Sequence, residues 1–454
     1  MFWRSRALAS LLTALLIACQ PTPTPRAPAG DPPLPNFVII DIDSMRADLL
    51  DATRDVEPIA PAIYSLAQRG VRFDQAFSQS SWTFPALASL LTGRYPPSFA
   101  SMNPKTQQLA DLGVTLPEVL ALYGYHTAVA WGDTAPVAYP AFGRGFQRML
   151  GGPGTGKPRA SAHNLVDFLS QSPPEPFLLL VHDMDLHRPV PPPPPAVVQR
   201  HVEEQPTPRC VSLNDTFKHS RETMDEAAVR RRTIGCYHAA LDSYDAEVSQ
   251  VLDQLERSGL DDHTVVILVS NHGEELFEHG GLGHAELQYE TVLQVPLVIL
   301  DPAHPQPAVR PERVQLVDLA PTILARAGVR PPHDLVGESL LPLLGLAQGS
   351  YIERDVFGFA NPAHATLRTA THKLHHRMDQ GATTHQLFDL RSDPGEQTDI
   401  LEQEPALAAE LITRLDGFIQ QRMAQGQIAP KAPGGEALER ELRERGYWEM
   451  VQEQ

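Results

Sequence analysis

The chain has 454 residues, 42% of them hydrophobic, with 55 acidic against 37 basic side chains and a formal net charge of −18. That length suits one large α/β domain or two domains, with ample apolar content for a core. The acidic balance argues against a nucleic-acid partner, whose phosphates reward Lys and Arg, and against docking on an anionic membrane by charge alone.

Arg4 and Arg6 precede an apolar run, Ala7 to Ile17, that is too short to span a bilayer comfortably and ends in Leu16-Ile17-Ala18-Cys19. We read residues 1–19 as a targeting signal. Its end resembles a bacterial lipobox, in which cleavage before Cys19 leaves a lipidated N-terminus; an ordinary signal peptide or signal anchor is the alternative. Residues 20–35, "QPTPTPRAPAGDPPLP", then form a Pro-rich tether. The expectation is an exported protein held at a membrane, on the periplasmic or cell-surface side.

"NFVIIDID" (Asn36 to Asp43) is an apolar, β-branched run that predicts a buried parallel strand. Pro61 to Gly70 reads as a helix closed by glycine, followed by the strand "VRFDQAF". Thr83, before "PALASLL", falls at a helix start, where a Thr either caps the helix or places a hydroxyl near a site that stabilises anions. Leu116 to Tyr123 predicts a short helix stopped at Gly124, then the strand "TAVAW" and the strand "PFLLLVHDMD". Pro189 to Lys218 is read as an irregular, Pro-rich excursion. A long amphipathic helix is expected between Cys236 and Gly259, on the spacing of Ala240, Tyr244, Val248, Val251 and Leu255. "HTVVILVSNHGEE" and "VPLVIL" are two more strands.

Beyond Leu344 the pattern changes to antiparallel-type alternation with a turn at Asp393-Pro394-Gly395, and then to an amphipathic helix. The domain reading is therefore 36–345 for a main α/β domain, 346–425 for a smaller C-terminal α+β lobe and 426–454 for a charged tail. Cys210 and Cys236 lie outside any metal-type spacing, and either two thiols or one disulfide fits them.

Alternating strands and helices imply a mainly parallel sheet covered on both faces, with ligands beyond the carboxyl ends of the strands. Those ends carry Asp41 and Asp43, then His182, Asp183, Asp185 and His187, then Asn271, His272 and Glu274. Such oxygen and imidazole donors suit one divalent cation, with Mg, Mn, Ca and Zn left open. A hydroxyl beside that cation becomes a nucleophile more readily.

"PNFVIIDIDSMRADLL", "LAQRGVRFDQAFSQSSWTFPALASLLTGRYPP", "DMDLHRPV", "VVILVSNHGEELFEHGGLGHAELQYETVLQVPLVI", "VQLVDLAPTILARAGV" and "LFDLRSDPGEQTDI" occur in this order. Together, over roughly residues 35–425, they resemble the sulfatase family of the alkaline phosphatase superfamily. The resemblance implies an alkaline-phosphatase-like α/β fold, a mainly parallel sheet flanked by helices with a smaller C-terminal lobe. It also implies metal-dependent hydrolysis of sulfate or phosphate esters.

Carried onto this sequence, the resemblance makes Asp43, Thr83, Asn271 and His272 the metal site. Thr83 takes the nucleophile position, while His187 and His284 match two further catalytic positions. Asp41, His182 and His279 are possible additions. Thr83 stands where sulfatases have the Cys or Ser that becomes formylglycine, a conversion closed to Thr. Relatives with Thr there include phosphodiesterases and phosphoryl transferases. Leu87 replaces a cationic residue, Ser44 a second Asp, and Asn271 an Asp.

The first functional reading is a hydrolase or transferase acting on phosphate mono- or diesters through Thr83. The alternatives are an arylsulfatase-like enzyme and a non-catalytic member that binds a glycan or anion. The expected partners are a small-molecule, lipid or glycan ester and, through the anchor, a membrane.

Overall fold

A computed structural model describes residues 34–96, 114–131, 143–151, 162–187, 192–203, 208–221, 224–304, 306–330, 335–361, 363–379 and 381–428. The signal, most of the tether and nearly all of the charged tail lie outside the described residues.

A nine-stranded sheet organises the main body. Its strands are β1 (Asn36–Ile42), β2 (Val71–Phe77), β3 (His126–Trp131), β4 (Arg148–Met149), β5 (Phe177–Asp183), β6 (Thr264–Val269), β7 (Gln294–Val295), β8 (Leu297–Leu300) and β9 (Ala308–Gln315). The spatial order is β7-β2-β8-β6-β1-β5-β3-β4, with β9 paired to β2. β1 lies parallel between β5 and β6. Within this mainly parallel sheet the "VPLVIL" strand, β8, runs antiparallel to both β6 and β2.

Alternate residues of β1 feed two cores. Phe37 and Ile39 pack with α2 (Thr83–Thr92), α3 (Leu116–Leu122) and α8 (Leu319–Arg326). Val38, Ile40 and Ile42 pack with α1 (Pro61–Arg69), α4 (Ala162–Leu169) and α7 (Glu226–Arg257). By the same alternation Asp41 and Asp43 share the α2 side.

Two expectations are corrected. The long helix α7 begins at Glu226, well before Cys236, capped by the Asp225 carboxylate accepting from the Ala228 N–H at 2.8 Å. Gly235 does not break it; a Cβ there would lie 2.5 Å from the His201 carbonyl oxygen, so glycine permits close packing of a neighbouring helix. The Pro-rich excursion is also less irregular than its composition suggests. It contains α5 (Pro195–His201) and α6 (Leu213–Arg221), and a Cys210–Cys236 disulfide joins the segment between them to α7.

The C-terminal lobe is an antiparallel sheet of β10 (Val356–Asn361), β11 (His364–Arg368), β12 (His372–Asp379) and β13 (Ala382–Asp389). Its Phe359, Ala365, Leu367, Leu374 and Leu387 bury against α9 (Pro405–Ile428). The opposite face meets the main body through buried charge, where Lys373 Nζ lies 3.0 Å from Glu290 Oε1 and 3.1 Å from Glu396 Oε1.

Candidate active site

Three adjacent strands deliver the site. β1 runs into Asp43, β5 ends at Asp183, and β6 leads through Ser270 to Asn271 and His272. After Asp43 the chain leaves the sheet through Ser44 at φ 63°, a left-handed conformation that non-glycine residues adopt at a cost. That turn is held by α7, whose Tyr237 hydroxyl donates to the Ser44 carbonyl at 2.5 Å. Gly273 lets the β6 end tuck under residue 291, since a Cβ there would lie 2.2 Å from the Thr291 carbonyl oxygen.

Thr83 arrives from β2 as the first residue of α2. Trp82 occupies the cap position and no side chain caps the helix, so the cap reading of Thr83 fails. Its Oγ1 instead lies 3.4 Å from Asp43 Oδ2 and 3.3 Å from His272 Nε2. The Ala285 N–H donates to the Ser81 carbonyl at 2.7 Å, and the Ser81 hydroxyl donates to the Ala285 carbonyl. This clamp binds the loop carrying His284 to the approach to Thr83.

His284, His272 and His187 form a run of rings, with centroids 4.4 Å apart for His272–His284 and 5.1 Å for His187–His284. His284 Nδ1 faces the Glu274 carboxylate at 3.1 Å. Burial works against the imidazolium of His284, but Glu274 outweighs it and raises the pKa above the ordinary value. Burial pushes His187 the other way, toward the neutral ring. Asp41 and His182, neighbours in the β1–β5 register, pair through Oδ2 and Nδ1 at 2.6 Å, and both are fully buried. Burial raises the Asp41 carboxyl above its usual range; at Asp43 the same burial is outweighed by His272, which holds that carboxyl far below it.

The donor set fits a cation at Asp43 and His272. His272 Nδ1 faces the Gly273 carbonyl at 2.9 Å, and a carbonyl only accepts, so this nitrogen carries the proton. Nε2 then turns its lone pair toward Asp43 Oδ1 at 3.1 Å, an oxygen with no hydrogen-bond partner. A partnerless carboxylate oxygen and an imidazole lone pair at that separation repel unless a positive charge lies on or between them. The fit is incomplete at Asn271, where Oδ1 already accepts from the His272 N–H at 3.0 Å and the atom without a partner is the amide nitrogen, a donor. Among the described residues no group of three or more His, Cys, Asp or Glu forms a ready cage.

The structure thus gathers Asp43, Thr83, His272, His284 and His187, with Asp41, His182 and Asn271 at the same sheet edge. His279 stands apart: Nδ1 faces Glu275 at 3.1 Å, Nε2 faces the Gly395 carbonyl at 2.9 Å, and the ring stacks on Tyr289 at 3.4 Å. Leu87 is buried in the core with Phe84, Ala88 and Leu91, and so offers no charge to the site. Glu274 is absent from the ligand and catalytic set expected from sequence. Its two-residue step from His272 at a strand end was the available signal.

Residues 35–329 match the sulfatase family, and residues 278–425 match the C-terminal region of N-sulphoglucosamine sulphohydrolase. Arylsulfatase K of Mus musculus is 32% identical over 194 residues, 40% of this chain and 35% of that protein. The matched segment therefore spans about a third of that relative. Arylsulfatase A of Bos taurus is 27% identical over 83% of this chain and 85% of its own length.

Among solved structures, the phosphonate monoester hydrolase of Agrobacterium radiobacter superposes with TM-score 0.65 at 18% identity, covering 86% of this chain and 96% of that one. A 2-O GAG sulfatase gives 0.67 at 20%, covering 86% and 92%. A protein solved with its substrate D-glucosamine-2-N,6-O-disulfate gives 0.63 at 18%, covering 86% and 98%. At these identities the structural likeness establishes the fold.

Proposed function

Because this chain belongs to the sulfatase family, we propose that it is a metal-dependent hydrolase or transferase of phosphate mono- or diesters, with Thr83 as nucleophile. The observation that carries the reading is the Thr83 hydroxyl within 3.4 Å of Asp43 and 3.3 Å of His272, on a residue that cannot become formylglycine. Asp43, His272 and Thr83 would hold the divalent cation, with Asn271 Oδ1 as a weak fourth donor. When bound, the cation lowers the proton affinity of the hydroxyl and offsets charge on the ester oxygens.

The chain's own groups then divide the work. As the Thr83 Oγ1–phosphorus bond forms, the hydroxyl proton departs toward Asp43 Oδ2, since the one lone pair of His272 Nε2 would be committed to the cation. The phosphorus–oxygen bond to the leaving group breaks, and His284, steadied by Glu274, gives that oxygen a proton. Water then bonds to phosphorus as the Thr83 Oγ1–phosphorus bond breaks, with the neutral His187 placed to accept the water proton and Asp43 Oδ2 placed to return one to Thr83 Oγ1. Asp41 returns part of the charge that Asn271 lacks; unchanged cation occupancy in Asp41→Ala sinks that detail.

A cavity of about 310 Å³ supports a glycan ester as substrate. It lies between Glu286–Tyr289, directly beyond His284, and the C-terminal sheet. Buried Gln288 and His364 line it, and Gln288 Oε1 and His364 Nδ1 have no partner. His364 Nε2 faces Asp379 at 3.2 Å, which places the proton there and leaves Nδ1 an acceptor. Two orphan acceptors call for a ligand rich in donors, as sugar hydroxyls and amines are. We place the protein at a membrane through Cys19; mass spectrometry of the native N-terminus tests that.

The functional test is a side-by-side assay of nitrophenyl phosphate and nitrophenyl sulfate esters with added Mg, Mn, Ca or Zn. Faster phosphate turnover, with phosphate trapped on Thr83, is the expected result. Preference for sulfate favours the arylsulfatase reading, and no turnover together with no bound cation favours a binding protein.

A further inference from the structure

Two histidines outside the Thr83 cluster meet across the C-terminal sheet. His376 on β12 and His385 on β13 are directly opposed in the antiparallel register. Their ring centroids lie 5.0 Å apart, and His376 Nδ1 is 3.1 Å from His385 Nε2. By strand alternation they continue the face of Ala365, Leu374 and Leu387 past the point where it stops being apolar. Both are only partly buried and border the cavity described above.

The separation of the two nitrogens is informative. Metal–imidazole bonds are ~2.0–2.1 Å long, so nitrogens 3.1 Å apart subtend about 95–102° at a shared ion. That angle is close to the cis position of a square-planar or octahedral site and short of the tetrahedral one. A cation can therefore replace the shared proton without moving either strand. The register holds both rings in place, so little ordering remains to be done on binding. Asp416 on α9 adds a negative charge that acts on His385. Arg377, the nearest cation in sequence, points to the other face and is engaged by Asp379 at 2.7 Å and Glu286 at 3.4 Å.

We propose that His376 and His385 form a second, two-nitrogen site for an imidazole-seeking divalent cation, with Cu(II) or Ni(II) preferred over Zn(II). Among the described residues no third His, Cys, Asp or Glu completes a cage, so water fills the remaining positions. The site borders the proposed substrate cavity but shares no residue with the Thr83 cluster.

The test is Cu(II) titration of the EDTA-stripped protein followed by electron paramagnetic resonance. The expected result is a signal with two equatorial nitrogens in the wild type and in Asp43→Ala. That signal is lost, with affinity at least tenfold weaker, when His376→Gln or His385→Gln is added to Asp43→Ala/His272→Ala, a background in which the Thr83 cluster no longer holds the ion. His219→Gln, at an exposed histidine elsewhere, should bind as the wild type does. Circular dichroism in EDTA confirms that each variant is folded, and either of the two site variants is sufficient. A signal that persists in both site variants, or that disappears in Asp43→Ala, overturns the proposal.

Discussion

The hydroxyl oxygen of Thr83 lies 3.3 Å from Nε2 of His272, 189 positions along the chain. It caps nothing, and its proton faces two acceptors. Thr83→Ala should lower kcat/KM for nitrophenyl phosphate by roughly two to three orders of magnitude. Thr83→Ser should keep much of the rate, because it keeps the hydroxyl. Near-wild-type activity in Thr83→Ala, with circular dichroism unchanged, removes Thr83 from the chemistry.

Asn271 presents a donor where a cation would need an oxygen. Its Oδ1 accepts from the His272 N–H, and the atom left over is a nitrogen. Asn271→Asp replaces that donor with an oxygen and adds a charge to the site. Calorimetric titration of stripped protein with Mn(II) should show binding tightened about tenfold or more, the scale of changes made around metal ligands. Equal affinity in the two proteins places residue 271 outside the metal shell.

Strand ends proved readable because a strand buried on both faces must be apolar along its length, so the polar residues of "NFVIIDID" and "VVILVSNHGEE" mark where it stops. The gathering of Asp43, Thr83 and His272 was legible from that logic and from the ordered family segments. The helices of the 189–218 region were hidden because Pro composition outweighed a pattern that depends on tertiary packing against α7. His279 misled: it lies near the site in sequence, yet Gly280 at φ 78° and the two-residue strand Glu275–Leu276 turn it toward the lobe. The His376–His385 pair and the Lys373 network depend on cross-strand register and on docking of the lobe, neither of which spacing along one strand reveals.

The Asp41–His182 pair is fully buried at 2.6 Å, so losing the carboxylate removes a hydrogen-bonded partner in a dry interior. Asp41→Ala should cost about 3–5 kcal/mol in urea unfolding, the range for breaking one side of a buried pair. A loss below about 1 kcal/mol would mean that solvent or a relaxed His182 compensates.

The Cys210–Cys236 bond closes a loop with a sequence separation of 26. Chain-entropy arithmetic for that separation gives about 3.5 kcal/mol. Reduction should lower the unfolding midpoint in urea, and Cys210→Ser should reproduce the effect. A Cys210→Ser protein indifferent to reductant and as stable as wild type contradicts it.

Glu396 makes lobe docking sensitive to acid. Burial opposes its charge, but the Lys373 ammonium at 3.1 Å and His375 at 2.9 Å outweigh that and hold its carboxyl at about 2, against 4.5 ordinarily. A carboxyl depressed on folding stabilises fully above the unfolded value, and that contribution is lost as pH falls toward the folded one. Stability should therefore drop between about pH 4.5 and 2, by at most about 3 kcal/mol from this group. Glu396→Gln should be less stable at neutral pH, because it leaves Lys373 with Glu290 alone, and should show a flatter acid limb. Parallel unfolding curves for the two proteins across that window would show that other carboxylates govern the acid response.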